Sequence, residues 1–97
     1  MMQIYWTLEA FADREAIFDY IEADNPVAAI ALDELFEQSA KQLNLHPQSG
    51  RLGRVNGTRE LVVQRNYILI YDMAGQNVRI LRVLHASRQW PKTRLNS

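Results

Sequence analysis

A histidine, an arginine and a tryptophan close a β-rich run near the end of the chain: Arg82-Val83-Leu84-His85-Ala86-Ser87-Arg88-Gln89-Trp90-Pro91. An imidazole titrates near neutral pH, so His85 is the residue of this half best suited to take or give a proton. Planar guanidinium forks suit phosphate oxygens better than the point charge of lysine. Arginine recurs through the same half at Arg51, Arg54, Arg59, Arg65, Arg79, Arg82 and Arg88. Strand alternation puts Arg59 and Arg65 on one face unless a bulge intervenes, whereas Arg79 and Arg82 have opposite parity. Trp90, Tyr67 and Tyr71 offer ring faces on which nucleic-acid bases stack. Each residue also has a plainer reading. His85 caps a strand edge, the tyrosines pack in the core, Trp90 pins the tail, and each arginine makes a surface ion pair worth under about 1 kcal/mol.

Charge patterning favours the sharper reading. The formal net charge is zero, but residues 1–48 hold nine acids against Arg14 and Lys41 (2 − 9 = −7). Residues 49–97 hold nine bases, almost all arginine, against Glu60 and Asp72 (9 − 2 = +7). Such asymmetry points to an anionic partner for the basic half, the alternative being that the halves neutralise each other in the fold. With 97 residues, 47% hydrophobic and 23% charged, the chain fits one globular domain over residues 1–97. The absence of cysteine excludes disulfides and thiolate metal sites. His46 reads as a loop residue, so no metal or cofactor is expected. No apolar run approaches the roughly 20 residues of a membrane span, and Met1–Trp6 lacks the features of a signal peptide. A cytoplasmic protein is expected, without a membrane partner.

The elements that must position these groups follow from local patterns. Gln3–Trp6 reads as a short strand. Thr7 caps a helix in which Ala10, Phe11, Ile17, Phe18 and Ile21 face inward, leaving Asp13, Arg14, Glu15, Asp19 and Glu22 for solvent. Asn25 caps a second helix with Pro26 at its first position, striped by Ala28, Ala29, Leu32, Leu35, Phe36, Ser39, Ala40 and Leu43, and ending near Leu45 before Pro47. The short link makes an antiparallel helical hairpin. Residues 46–57 read as a loop carrying Arg51 and Arg54. Three strands follow over 58–65, 67–72 and 78–85, joined by links short enough for hairpins. Ile68, Leu69 and Ile70 are apolar on both parities, as in a central strand. The expected fold class is α+β: an N-terminal strand, then a helical hairpin packed on a twisted antiparallel sheet, in the order β-α-α-β-β-β.

Five segments carry a family resemblance: Asn25-Pro26, Pro47-x-x-Gly50-Arg51, Gly57-Thr58-Arg59-Glu60-Leu61, Tyr67-Ile68-Leu69-Ile70-Tyr71 and Arg82-Val83-Leu84-His85-Ala86-x-Arg88-Gln89-Trp90-Pro91. In order and spacing, over about residues 3–91, the chain resembles the RelE/ParE superfamily of toxins from type II toxin–antitoxin systems, the modules of plasmid stabilisation. That resemblance implies a partner antitoxin that wraps and neutralises the toxin, with operator DNA contacted only through the antitoxin. RelE-like members are endoribonucleases that cut messenger RNA on the ribosome; ParE-like members inhibit DNA gyrase without being enzymes.

The leading expectation is a metal-independent mRNA endoribonuclease. RNA cleavage without a metal needs a base for the 2′-OH, an acid for the leaving oxygen, and cations at the phosphate. His85 is assigned proton transfer, with Arg59, Arg65 and Arg88 completing the catalytic set. RNA binding is assigned to Arg51, Arg54, Arg82 and Trp90. A gyrase inhibitor is the alternative, and a degenerate toxin that only binds antitoxin is the second. The chain departs from the RelE-like pattern at Ile68, where those nucleases tend to have arginine, and at Ser87, near which they have a second base. The Lys-x-Lys pair of the preceding loop is also missing.

Overall fold

The computed structural model describes residues 1–87; Arg88 and Trp90 lie outside the described residues. Strand β1 (Gln3–Trp6) leads into helices α1 (Leu8–Glu22) and α2 (Pro26–Gln42), followed by β2 (Arg51–Leu52), β3 (Arg59–Gln64), β4 (Tyr67–Ala74) and β5 (Asn77–His85). They form one sheet in the order β1-β5-β4-β3-β2, with the helices on one face. Both caps form as their residue types require. The Thr7 side chain accepts from the Ala10 N–H at 3.1 Å, and Asn25 accepts from the Ala28 N–H at 3.1 Å, ahead of Pro26. Thr7 also donates its hydroxyl to the Leu81 carbonyl at 2.9 Å, which fastens the start of α1 to β5.

The meander β3-β4-β5 is antiparallel, but β1 pairs with β5 in parallel, so the sheet is mixed. Short links fix the direction only of the strands they join, and β1 is joined to the rest through two helices. The segment read as a loop contributes β2, whose two residues pair antiparallel with β3. Helix α2 ends at Gln42, a little before the expected boundary.

Strand β4 is the centre. Ile68, Leu69, Ile70 and Tyr71 are each at most 2% exposed. Leu69 and Tyr71 join Val78, Ile80 and Val83 beneath Leu32, Phe36, Ala40 and Leu43 of the α2 segment and Ala10 of α1. Ile68, Ile70 and Leu84 form a separate buried cluster with Leu81 against it. Two ladder irregularities matter for the site. One, between Val62 and Gln64 of β3, breaks the parity that would have put Arg65 beside Arg59. The other leaves Leu81 unmatched between Ile80 and Arg82 of β5.

Two residues assigned to solvent are not there. Arg14 reaches α2, bonding Asp33 through both fork nitrogens at 2.9 Å and Glu37 at 2.8 Å, and its guanidinium lies 4.5 Å from the Trp6 ring centroid. Asp13 reaches β5. Helical periodicity marks apolar residues as inward but cannot see a charged pair shared with another element.

Tyr71 secures the chain between α2 and β3. Its hydroxyl donates to the Pro47 carbonyl at 2.7 Å and accepts from the Gly50 N–H at 3.0 Å. A Cβ on Gly50 would lie 2.8 Å from the Tyr71 ring and hydroxyl, so only glycine fits there. Tyr71→Phe removes both bonds and should destabilise the protein by about 1–3 kcal/mol in urea unfolding. Burial raises the Tyr71 pKa above its ordinary value, outweighing the lowering by the Gly50 N–H and by Arg59. Stability from this phenol is therefore complete below about pH 10, the unfolded value, and is lost as pH rises from there through the folded pKa. Tyr71→Phe should lack that alkaline component; identical alkaline profiles would exclude Tyr71 as its source.

Candidate functional site

The polar side chains fall into two groups, one at the Tyr67 end of β4 and one at the β2–β3 edge of the sheet, opposite Ile70 and Tyr71. At one end, Tyr67 is paired with His85, and the Ala86 N–H donates to the Asn66 carbonyl at 2.6 Å. The turn carrying Arg65 and Asn66 therefore lies directly beside His85. The half-buried imidazole meets the Tyr67 ring edge-on at 5.2 Å between centroids. Its Nδ1 accepts from the Ser87 N–H at 3.2 Å and lies 2.8 Å from the Ser87 hydroxyl. A backbone N–H can only donate, so in the neutral ring the proton resides on Nε2. His85 lines a cleft of about 350 Å³ between α1 and the strand ends, shared with Asp13, Ile17, Tyr20, Tyr67 and Val83.

Arg82 is committed inside the protein. Its Nε and Nη2 bond the Asp13 carboxylate at 2.7 and 2.9 Å, and Asp13 also accepts from the Val83 N–H at 2.9 Å. The bonds to Asp13 raise the Arg82 pKa, more than burial lowers it. Arg79 pairs with its cross-strand neighbour Asp72 at 2.6 and 2.9 Å, in the open. Arg65 is exposed and makes no side-chain hydrogen bond or ion pair among the described residues.

The second group, at the β2–β3 edge, is organised by Glu60, which is 2% exposed. One carboxylate oxygen receives Arg51 Nη2 at 3.1 Å; the other receives the Arg54 N–H at 3.2 Å and Arg54 Nε at 3.5 Å. Arg59 donates to the carbonyls of Gly50 at 2.7 Å and Gln48 at 3.3 Å, bracing the loop. Arg59 pairs with Tyr71 and His85 with Tyr67, and four residues of strand separate these positions by about 13 Å.

Of the expected set, the structure brings Arg65 and His85 to the Tyr67 end of β4 and Arg51, Arg54 and Arg59 to the β2–β3 edge. Arg82 stands between, turned onto α1. Ile68, at the position where RelE-like nucleases tend to have arginine, is 2% exposed within its apolar cluster. Sequence reasoning missed Asp13, Glu60 and Tyr20. Glu60 had a signal, as one of only two acids in the basic half. Asp13 had none, because its partner lies 69 residues away. Among the described residues no group of three or more His, Cys, Asp or Glu is placed to hold a metal ion.

A family model described as the ParE toxin of type II toxin–antitoxin systems (parDE) matches residues 4–90. The chain belongs to the ParE toxin family. Toxin RelE2 of Caulobacter vibrioides is 40% identical over 88 residues, covering 91% of this chain and 99% of that protein. Y4kP of Sinorhizobium fredii is 41% identical over 90 residues, 93% and 94% of the two chains. Among solved structures, a chain of the chromosomal ParDE system of P. aeruginosa superposes with a TM-score of 0.81 at 27% identity, covering 90% of this toxin and 98% of that chain. The RelBE2 toxin–antitoxin complex of Mycobacterium tuberculosis shares the fold, at a TM-score of 0.61 and 24% identity, covering 87% of this toxin and 96% of that chain. This toxin is thus a type II toxin of the RelE/ParE superfamily.

The two kinds of arginine pair in the toxin should separate in stability. Asp13→Ala leaves a half-buried guanidinium and the Val83 N–H without their acceptor, and should destabilise the fold by about 2–3 kcal/mol. Asp72→Ala, at the exposed pair, should cost under about 1 kcal/mol. Denaturant midpoints compare the two, and equal losses would refute the claim that Asp13 ties α1 to β5.

Proposed function

We propose that the toxin arrests growth by binding DNA gyrase, without cutting nucleic acid itself, and that its cognate antitoxin neutralises it by binding. The observation that carries this reading is the state of the sheet where the RelE-like pattern expects arginine. Ile68 there is packed among Ile70, Leu81 and Leu84. A guanidinium at that position would have to be desolvated against hydrocarbon. Metal-free phosphodiester cleavage needs its cations within hydrogen-bond reach of one phosphate that the proton-transfer group also touches. The expected cations among the described residues divide instead between the His85 end of β4 and the β2–β3 edge, and Arg82 is spent on Asp13. The match to the ParE family model supports the same reading.

One observation favours the endoribonuclease as a second reading. The His85 imidazole is tautomerically fixed, lines a cleft, and adjoins the turn of Arg65.

Inducing the wild type and His85→Ala separates the two. Gyrase poisoning predicts trapped gyrase–DNA cleavage complexes, intact transcripts and toxicity little changed by His85→Ala. A general acid or base contributes about 10²–10⁴-fold, so ribosome-dependent transcript cuts that fall by that factor in His85→Ala would overturn the proposal. The antitoxin is tested by co-purification with the product of the adjacent reading frame, and a toxin that elutes alone would count against it.

A further inference from the structure

The gyrase reading leaves the group around Glu60 without a use. Two guanidiniums, Arg51 and Arg54, converge on a single described carboxylate, Glu60, at the β2 edge of the sheet. A structural ion pair needs one partner per charge, whereas this arrangement leaves one positive charge in excess. We propose that Arg51 and Arg54, held by Glu60, form a phosphodiester-binding edge that takes the backbone of a nucleic acid.

Geometry and exposure argue for it together. The Arg51 and Arg54 side chains are 60% and 45% exposed, while Glu60 beneath them is 2% exposed. The carboxylate is therefore covered by its partners and turns no negative charge toward an approaching phosphate. Arg51 uses Nε and Nη2 on one carboxylate oxygen, at 3.4 and 3.1 Å. Arg54 uses only Nε and its backbone N–H. Nη1 of Arg51 and both terminal nitrogens of Arg54 keep their donors unspent among the described residues. Being tied to the two oxygens of one carboxylate, the forks are held within reach of a single phosphate or two adjacent ones.

The loop that presents them is already ordered. Tyr71 bonds it at Pro47 and Gly50, and Arg59 braces Gly50 and Gln48. The Gly53 N–H bonds the Thr58 carbonyl at 2.8 Å, and the Thr58 hydroxyl bonds the Val55 carbonyl at 2.7 Å. A Cβ on Gly53 would lie 2.3 Å from the Thr58 hydroxyl, so the loop closes only around glycine. Binding to such a loop orders little that was disordered before. Phosphate contacts of this kind position a nucleic acid without reading its sequence. DNA held by gyrase and a transcript share the chemistry, and the proposal rests on the gyrase reading only for choosing between them.

Fluorescence anisotropy of the purified toxin with labelled duplex DNA and with labelled single-stranded RNA, between about 50 and 200 mM salt, tests it. The triple variant Arg51→Gln, Arg54→Gln, Glu60→Gln removes the forks together with the carboxylate they cover, so no buried charge is stranded. Binding should weaken about tenfold, and on duplex DNA the slope of log K against log salt should become shallower by roughly 1.8, or 0.9 per lost phosphate contact. Arg51→Lys with Arg54→Lys, which keeps the charges and the fold, should retain the slope and lose affinity. Tighter binding of duplex assigns DNA as the source of phosphate, and tighter binding of RNA assigns a transcript; either supports the edge. No saturable binding of either probe, or a triple variant with the parent's affinity and slope, would overturn it. Neither measurement involves gyrase, so this edge can fail while gyrase poisoning stands, and the reverse.

Discussion

The stretch of β4 from Ile68 to Tyr71 is buried on both faces and carries no charged side chain. From Ile68 to Tyr71 every side chain is enclosed, alternately beneath the helices and within the second apolar cluster. An ionised group along this stretch would be desolvated without compensation. Polar chemistry is thereby kept off this stretch: His85, Arg65 and Tyr67 gather at the start of β4, and Glu60 with Arg51 and Arg54 at the β2–β3 edge beside it. The chain obtains a stable core and two separate polar surfaces from a single apolar run.

The acidic and basic halves of the chain do not cancel in the fold. Of the ion pairs within the described residues, only Arg82–Asp13 joins one half to the other. Arg14 is satisfied by Asp33 and Glu37 in the acidic half, and Arg51, Arg54 and Arg79 by Glu60 and Asp72 in the basic half. The helical hairpin keeps Glu9, Glu15, Asp19, Glu22 and Glu34 exposed. Segregated charge on a small protein raises encounter rates with partners of matching sign and selects against others. The single crossing pair sits where it also orients α1, because Asp13 receives both the Arg82 fork and the Val83 N–H.

What could be read from the sequence divides along the range of the interactions. Caps at Thr7 and Asn25, the two helical stripes, the three-strand meander and the doubly buried strand are local patterns. The structure carries each of them, except that Phe11, expected in the inward stripe of α1, is 51% exposed. The direction of β1 and the pairing of β2 depend on partners far along the chain, and no local pattern encodes them. The fate of the arginines was legible in the same uneven way. Parity placed Arg59 and Arg65 together, and the β3 bulge separated them. The departure at Ile68 was visible as a missing arginine. Its physical meaning, an apolar cluster shared with Ile70 and Leu84, emerged only once β5 was laid beside β4.

Catalysis and binding make opposite demands on a set of cations. A cleaving site must converge its charges on one phosphate, and a misplacement of about 1 Å costs on the order of a hundredfold in rate. A surface that grips a large partner profits from charges spread along it, provided each is held in place. Here Arg51 and Arg54 share Glu60, while Arg59, Arg79 and Arg82 are held apart from them by loop carbonyls, by Asp72 and by Asp13. Only the Arg51 and Arg54 forks share an anchor; the others are fixed to different residues. A fold that spends so many acceptors fixing its guanidiniums at separate stations is built for extended contact. The same logic makes the rigidity of the loop around Tyr71 functional as well as structural, because two exposed forks act together only if the backbone between them cannot move.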